Sequence, residues 1–211
     1  NSTTKQYQYN KTFNASGEFS FNITCNGGVL GYDNLSAADN FIVGCNWPSG
    51  NWVVNQNTKC VSININLTGN LTINSTGNLT LTRVNLTIKM TADGDSYIKK
   101  NQTGGLWIYN STIISNNSDY EYDFWVYGSG GNDNFTLRDS RIIDVSSSSG
   151  GIQLYNVSNI IISNNNISNG TSTGIHLKYS RYNNITNNVI DTFANSGYGI
   201  LLQLGSSSNN I

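Results

Sequence analysis

Near the end of this 211-residue sequence, two stretches superimpose without a gap. GIQLYNVSNIIISNNNIS begins at Gly151 and GIHLKYSRYNNITNNVID begins at Gly174, a shift of 23 residues. Gly151 falls on Gly174, Ile152 on Ile175, Leu154 on Leu177, Ile162 on Ile185 and Ile167 on Ile190. A third copy opens at Gly199 with GILLQL. A fixed period with apolar residues in register denotes one supersecondary unit stacked on itself, because a single unit cannot bury its own apolar face. The apolar residues alternate and β-branched residues dominate, so the unit is built of strands. About 23 residues are too few for a strand–helix–strand crossover, which needs roughly 30 or more. Each repeat is therefore expected to form one turn of an all-β solenoid. Asn164 and Asn187 occupy one register in successive repeats, which predicts a stacked amide ladder inside a turn.

The rest of the chain is organised around this array. Residues 1–24 alternate aromatic and polar side chains (Tyr7, Tyr9, Phe13, Phe19, Phe21, Ile23), reading as one or two strands divided near Gly17. Residues 25–59 are irregular, with several glycines, Pro48, Trp47 and Trp52. A solenoid needs its terminal coil covered. Residues 1–60 are therefore expected to form an N-terminal β cap, and residues 61–211 about six or seven coils. Longer turns are expected to bulge at 91–104 and 115–133, the second holding an alternating aromatic run (Tyr120, Tyr122, Phe124, Trp125 and Tyr127) that suits a strand with one face exposed or covered. The aromatic segment QYQYNKTFNASGEFSFNI also suits a donor strand that adds to a neighbouring subunit's sheet edge.

A second pattern is chemical. Asn-X-Ser/Thr triplets begin at Asn1, Asn10, Asn14, Asn22, Asn34, Asn66, Asn70, Asn74, Asn78, Asn85, Asn101, Asn110, Asn116, Asn134, Asn156, Asn166, Asn169 and Asn184. These 18 positions are half of all asparagines, where the Ser and Thr content would give about 8 by chance. Solenoid turns and strands that favour Asn and Thr would generate some incidentally. The clustering at Asn66, Asn70, Asn74 and Asn78 points to N-glycosylation, hence to export and an extracellular address. A modified asparagine must point to solvent, which Asn66 and Asn70 are expected to do from strand edges and turns.

Composition closes off other classes. Only 11% of residues are charged and the net charge is −1, so no basic field exists to hold a phosphate backbone and no nucleic-acid partner is expected. No apolar run approaches the roughly 20 residues of a membrane span. The chain starts at Asn1 without Met or a signal segment, as a processed product or a fragment would. The cysteines are Cys25, Cys45 and Cys60. Their odd count allows at most one internal disulfide; Cys45–Cys60 closes the shortest loop, with Cys25 as the alternative partner. No Cys/His cluster has metal spacing and His176 is the sole histidine, so neither a metal nor a cofactor is expected.

The G-I-x-L…I-[ST]-N-N-x-I pattern resembles the parallel β-helix repeat family, including NosD-like periplasmic proteins and carbohydrate-binding and sugar-hydrolase domains. GNLTINSTGNLTLTRVNLTI followed by GGLWIYNSTI is similar to the opening coils of archaeal cell-surface glycoproteins. The resemblance covers residues 60–211 and implies a right-handed parallel β-helix of three short sheets. It says little about function, since the family spans lyases, epimerases, adhesins, spikes and surface-layer proteins.

Sugar-cleaving members combine carboxylates and a base on one outer face. The candidates here are Arg138, Asp139, Arg141, Asp144, His176 and Asp191, of which acid–base pairs on a solvated strand are more often surface salt bridges. Asp93-Gly94-Asp95-Ser96 resembles part of a calcium loop but lacks the later ligands, so an ordinary turn is expected. The functional expectation is a non-enzymatic, heavily N-glycosylated structural protein: a building block of a cell-surface layer, or a filament formed by head-to-tail stacking. One alternative is a carbohydrate-binding or polysaccharide-cleaving module using Trp107, Tyr120, Trp125 and Tyr155 as sugar platforms. A viral spike or adhesin is another.

Overall fold

The structure, a computed structural model, describes residues 17–25, 35–43, 45–145, 150–192 and 197–211. An antiparallel hairpin of β1 (Gly17–Cys25) and β2 (Leu35–Val43) comes first and lies against the start of the solenoid. Rungs of three short strands follow. The first holds β3 (Trp52–Val54), β4 (Asn57–Val61) and β5 (Asn64–Leu67), and the second β6 (Leu71–Ile73), β7 (Asn78–Thr82) and β8 (Asn85–Ile88). The third holds β9 (Tyr97–Lys100), β10 (Gly105–Tyr109) and β11 (Thr112–Ser115), and the fourth β12 (Asp123–Tyr127), β13 (Phe135–Arg138) and β14 (Arg141–Ile143). The fifth holds β15 (Ile152–Tyr155), β16 (Ile161–Ser163) and β17 (Asn166–Gly170), and the sixth β18 (Ile175–Lys178), β19 (Asn184–Thr186) and β20 (Val189–Thr192). β21 (Ile200–Gln203) opens a seventh. Successive first strands pair in parallel into a seven-stranded sheet (sheet I). Second and third strands form the six-stranded sheets II and III.

Register follows the alternation of apolar residues. Ile152 lies between Phe124 and Ile175, and Leu154 between Val126 and Leu177. Ile162 stacks on Leu137 and Ile185 in sheet II, and Ile142 on Ile113 and Ile167 in sheet III. These side chains are almost fully buried, and each contributes about 1.5–3 kcal/mol relative to an exposed position. Gly151 explains why a repeat opens with glycine. Its φ is +36°, and a Cβ there would lie 2.0 Å from the Gly174 carbonyl oxygen.

Two expectations change. The first coil begins at Trp52 rather than residue 61, because Trp52 and Val54 already point inward with Val53 outward. Of the strands expected over residues 1–24, β1 begins at Gly17, where the division was placed, and pairs along its length with β2; Tyr7, Tyr9 and Phe13 lie outside the described residues. The segment 91–104 is not a bulge throughout, whereas the aromatic run within 115–133 forms the strand expected of it. Each contains a sheet I strand, with Ile98 in one and Phe124 and Val126 in the other facing the core.

The turn between sheets II and III repeats with one conformation. Ser62, Arg83, Asn110, Asp139, Asn164 and Asn187 all have φ between 48° and 58°, the left-handed region that Asn and Asp tolerate best. This moves the amide ladder by one residue. Asn164 and Asn187 are the exposed, left-handed corners; the Asn164 amide donates to Asp139 Oδ1 at 3.0 Å. The buried relay runs through the following residue: Val84 N–H to Ser111 Oγ, Ser111 N–H to Ser140 Oγ, Ser140 N–H to Asn165 Oδ1 and Asn165 N–H to Asn188 Oδ1. Corner backbone turned inward would otherwise lack partners, so a small polar side chain from the next rung satisfies it.

Candidate functional site

Four expected glycosylation positions, Asn1, Asn10, Asn14 and Asn34, lie outside the described residues. Asn22 is exposed on β1. The remaining thirteen lie on strands of sheets II and III or in the turns. The strand segments of sheet I contain no asparagine at all. What separates the thirteen is the state of Nδ2, the atom that would carry a sugar. Asn66, Asn110, Asn134 and Asn166 are exposed, and their amides make no hydrogen bond to described residues. Asn184 is exposed and only accepts, from Asn210 Nδ2 at 2.9 Å. Asn116 and Asn70 also use the oxygen alone, accepting from Met90 N–H at 2.6 Å and Tyr97 N–H at 3.0 Å. Asn70 is half-buried by that contact rather than fully accessible. Asn156 is half-buried beside Gly130.

At the other five positions Nδ2 is a donor. Asn74 and Asn78 bond to Asn55 and Asn57 Oδ1, both at 2.6 Å, Asn85 to Asn64 at 2.9 Å and Asn101 to Asn74 at 3.2 Å. These are rung-to-rung amide links on the outside. Asn169 is different in kind: its Nδ2 donates to the carboxylate of Asp144, which is buried. Burial raises the Asp144 pKa, with the Asn169 bond opposing it.

Cys45 and Cys60 are joined as a disulfide, with Cα atoms 4.9 Å apart. Cys60 faces the core on β4 beneath Leu81, so the bond ties the segment before the first rung to that rung's second strand.

The candidate catalytic residues are scattered. Arg138 faces outward from sheet II, Asp191 from sheet III and His176 from sheet I, where its Nε2 lies 3.0 Å from Gln203 Oε1. Asp139 occupies a left-handed corner, Arg141 is exposed beyond it and Asp144 is buried. Leu137 and Arg141 do not share a side, because the corner at Asp139 breaks the alternation. The acidic loop is satisfied internally. Asp95 accepts from the Thr91 hydroxyl and from the Thr91 and Ala92 amides, and Asp93 accepts from Glu121 N–H at 2.9 Å. The Thr91 hydroxyl bond, then the amides, hold Asp95 below the usual carboxylate range against opposing desolvation. Among the described residues no group of His, Cys, Asp or Glu is placed to hold a metal ion, and no helix is long and apolar enough to cross a membrane.

The aromatic candidates divide between faces. Trp107 lies on sheet II, and Tyr120 packs partly buried against the core. Trp125 and Tyr155 lie on the outer face of sheet I, within a longer aromatic and cationic stripe. Ring centroids are 5.2 Å apart for Tyr97–Trp125, 6.0 Å for Tyr127–Tyr155 and 5.5 Å for Tyr155–Tyr179. Lys99 Nζ sits 5.4 Å from the Tyr127 ring and Lys178 Nζ 5.7 Å from Tyr155. Tyr155, Tyr179, Asn156 and Arg181 line an open cleft at one edge of this stripe. Sequence reading missed Tyr127 and Tyr179 as members; their spacing from Tyr155 follows the coil length, which varies between these rungs.

A family model described as a right handed beta helix region matches residues 86–211. No curated protein and no solved structure matches the chain.

Proposed function

The chain belongs to the right-handed β-helix family, and from that premise we propose that it is a structural glycoprotein of an extracellular surface, a building block of a surface layer or filament. The observation that carries this reading is the outward placement of the sequon asparagines. Asn66, Asn110, Asn134, Asn166 and Asn184 are all exposed, on sheets II and III or their turns. Sugar there would sheathe two sides of the rod and leave the core and sheet I untouched. A sheath of neutral or acidic sugar also supplies the solubility that 11% charged residues provide poorly. Association between copies, by head-to-tail stacking, is part of the proposal. The test is labelling of intact source cells with a membrane-impermeant amine reagent, followed by intact mass. The reading requires a labelled chain heavier than the bare polypeptide, whose excess mass disappears on deglycosylation. Labelling only after lysis, or a bare-polypeptide mass, would refute it.

The sheet I stripe favours a second reading, carbohydrate binding. Aromatic faces flanked by Lys99, Lys178 and Arg181 suit an acidic saccharide, and no strand asparagine there would crowd the face with sugar. Titration of uronate oligosaccharides should show binding that Tyr155→Ala weakens about tenfold or more; unaltered titration curves would count against it.

A further inference from the structure

The outer face of sheet II holds a cleft in which a sequon asparagine meets a tryptophan. Asn78 opens β7, and Trp107 lies on β10 in the next rung. Gly105 pairs with Asn78, and Trp107 pairs with Thr80, the hydroxyl residue of the Asn78-Leu79-Thr80 triplet. The space above Gly105 is already taken. A Cβ there would lie 2.2 Å from Trp107 Cη2 and 2.4 Å from Asn78 Oδ1. The indole is thus folded back along its own strand until its edge and the Asn78 amide share the volume over the glycine. Asn57, Thr58, Lys59 and Thr80 complete the cleft, of about 360 Å³. That is the lower end of the roughly 300–1,000 Å³ typical of ligand-holding clefts, and suits a sugar ring rather than a long polymer.

The amide orientation is fixed as well. Asn78 Nδ2 donates to Asn57 Oδ1 at 2.6 Å. A side-chain amide has two hydrogens. Attachment joins Nδ2 to the anomeric carbon of a phosphate-activated oligosaccharide; the phosphate carrier leaves with the bonding electron pair, and the amide gives up one proton. The other hydrogen can keep the bond to Asn57, so the linkage stays pinned beside the indole.

We propose that Asn78 is a glycosylated position whose first sugar is stacked on Trp107, making the glycan part of the packed surface instead of a free appendage. The C–H face of a pyranose meets the negative face of the ring, while Asn57, Thr58 and Lys59 reach its hydroxyls. This rests on the glycoprotein reading above and adds a specific sugar–protein contact to it. Gly105 has a role in the same design: any side chain there would displace the indole from the asparagine.

The experiment uses chain produced in an N-glycosylating host. Site mapping should find Asn78 occupied, and nuclear Overhauser contacts should connect its first sugar to the Trp107 indole. In a double-mutant cycle, Trp107→Leu should raise the unfolding constant about two- to tenfold more in the glycosylated chain than in the Asn78→Gln background, and Trp107→Phe, which keeps a ring, should raise it less. A bare Asn78 in chains whose Asn66 or Asn134 carries sugar overturns the assignment but leaves the glycoprotein reading standing. So do equal Trp107→Leu effects in the two backgrounds. Absence of sugar at every sequon overturns both.

Discussion

Asparagine serves two different ends in this molecule, and adjacent residues show the contrast. Asn165 and Asn183 are buried, and each is followed by a sequon asparagine, Asn166 and Asn184, that is exposed. Asn165 accepts from Ser140 N–H and donates to Leu137 O and Asn188 Oδ1. Asn183 accepts from Ile160 N–H and donates to Val157 O and Asn209 Oδ1. The buried member replaces water for corner backbone groups; the exposed one leaves its amide to solvent or to a sugar. None of the buried or half-buried relay asparagines Asn165, Asn183, Asn188 and Asn209 starts a sequon. A one-residue step across the sheet surface thus separates structural from decorated side chains, as strand geometry demands.

Lysines repeat the contrast on sheet I. Lys99 points outward, over the Tyr127 ring. Lys100 points inward between Ile73 and Val126, and its Nζ donates to the carbonyls of Gln102 and Tyr127 at 2.8 and 3.1 Å. Burial lowers the Lys100 pKa to about 8, with Asp133 opposing the shift.

Substitutions at these paired positions should separate by size. The largest effect belongs to Asn165→Ala, which strands the Ser140 N–H and the Leu137 carbonyl in the interior and should cost about 3 kcal/mol in urea unfolding. Lys100→Met comes next. Its folded pKa lies below its unfolded value, so the fold prefers the neutral amine. Wild-type stability should therefore gain about 2 kcal/mol between pH 7 and 9.5, as the amine deprotonates, and the Met variant should lack that gain. Asp123 behaves oppositely and more weakly. Burial raises its pKa to about 6, so the fold prefers the neutral acid. Its contribution should be fully present below about pH 4 and fade as pH rises through 6, a loss that Asp123→Asn removes from the urea midpoints. Smallest of all, Asn166→Gln should stay within about 0.5 kcal/mol of the parent chain in the unglycosylated protein. A cost for Asn166→Gln equal to that of Asn165→Ala would erase the inside–outside distinction.

The period of Ile and Leu made the solenoid legible in sequence, since burying one face of a strand enforces alternation. Asn164 and Asn187 were legible as a shared register, but not as left-handed corners; alternation stops at a corner, and only the backbone angle tells which of two neighbouring asparagines turns inward. Lys100 was invisible for a related reason, because a long side chain can keep an inward register while its amine reaches turn carbonyls. Loop length favoured the Cys45 and Cys60 pair but left Cys25 open as a partner, because a short loop lowers the cost of closure without excluding a longer one. The sheet I stripe was not legible, because coil lengths differ and place Tyr127, Tyr155 and Tyr179 in contact without a constant spacing.

Site-resolved glycopeptide mapping of the native chain tests the division of asparagines most directly. Sugar is expected at exposed positions such as Asn66, Asn134 and Asn166, with Asn169 bare because its amide is held by buried Asp144. Sugar at Asn169 with none at those three would contradict that division.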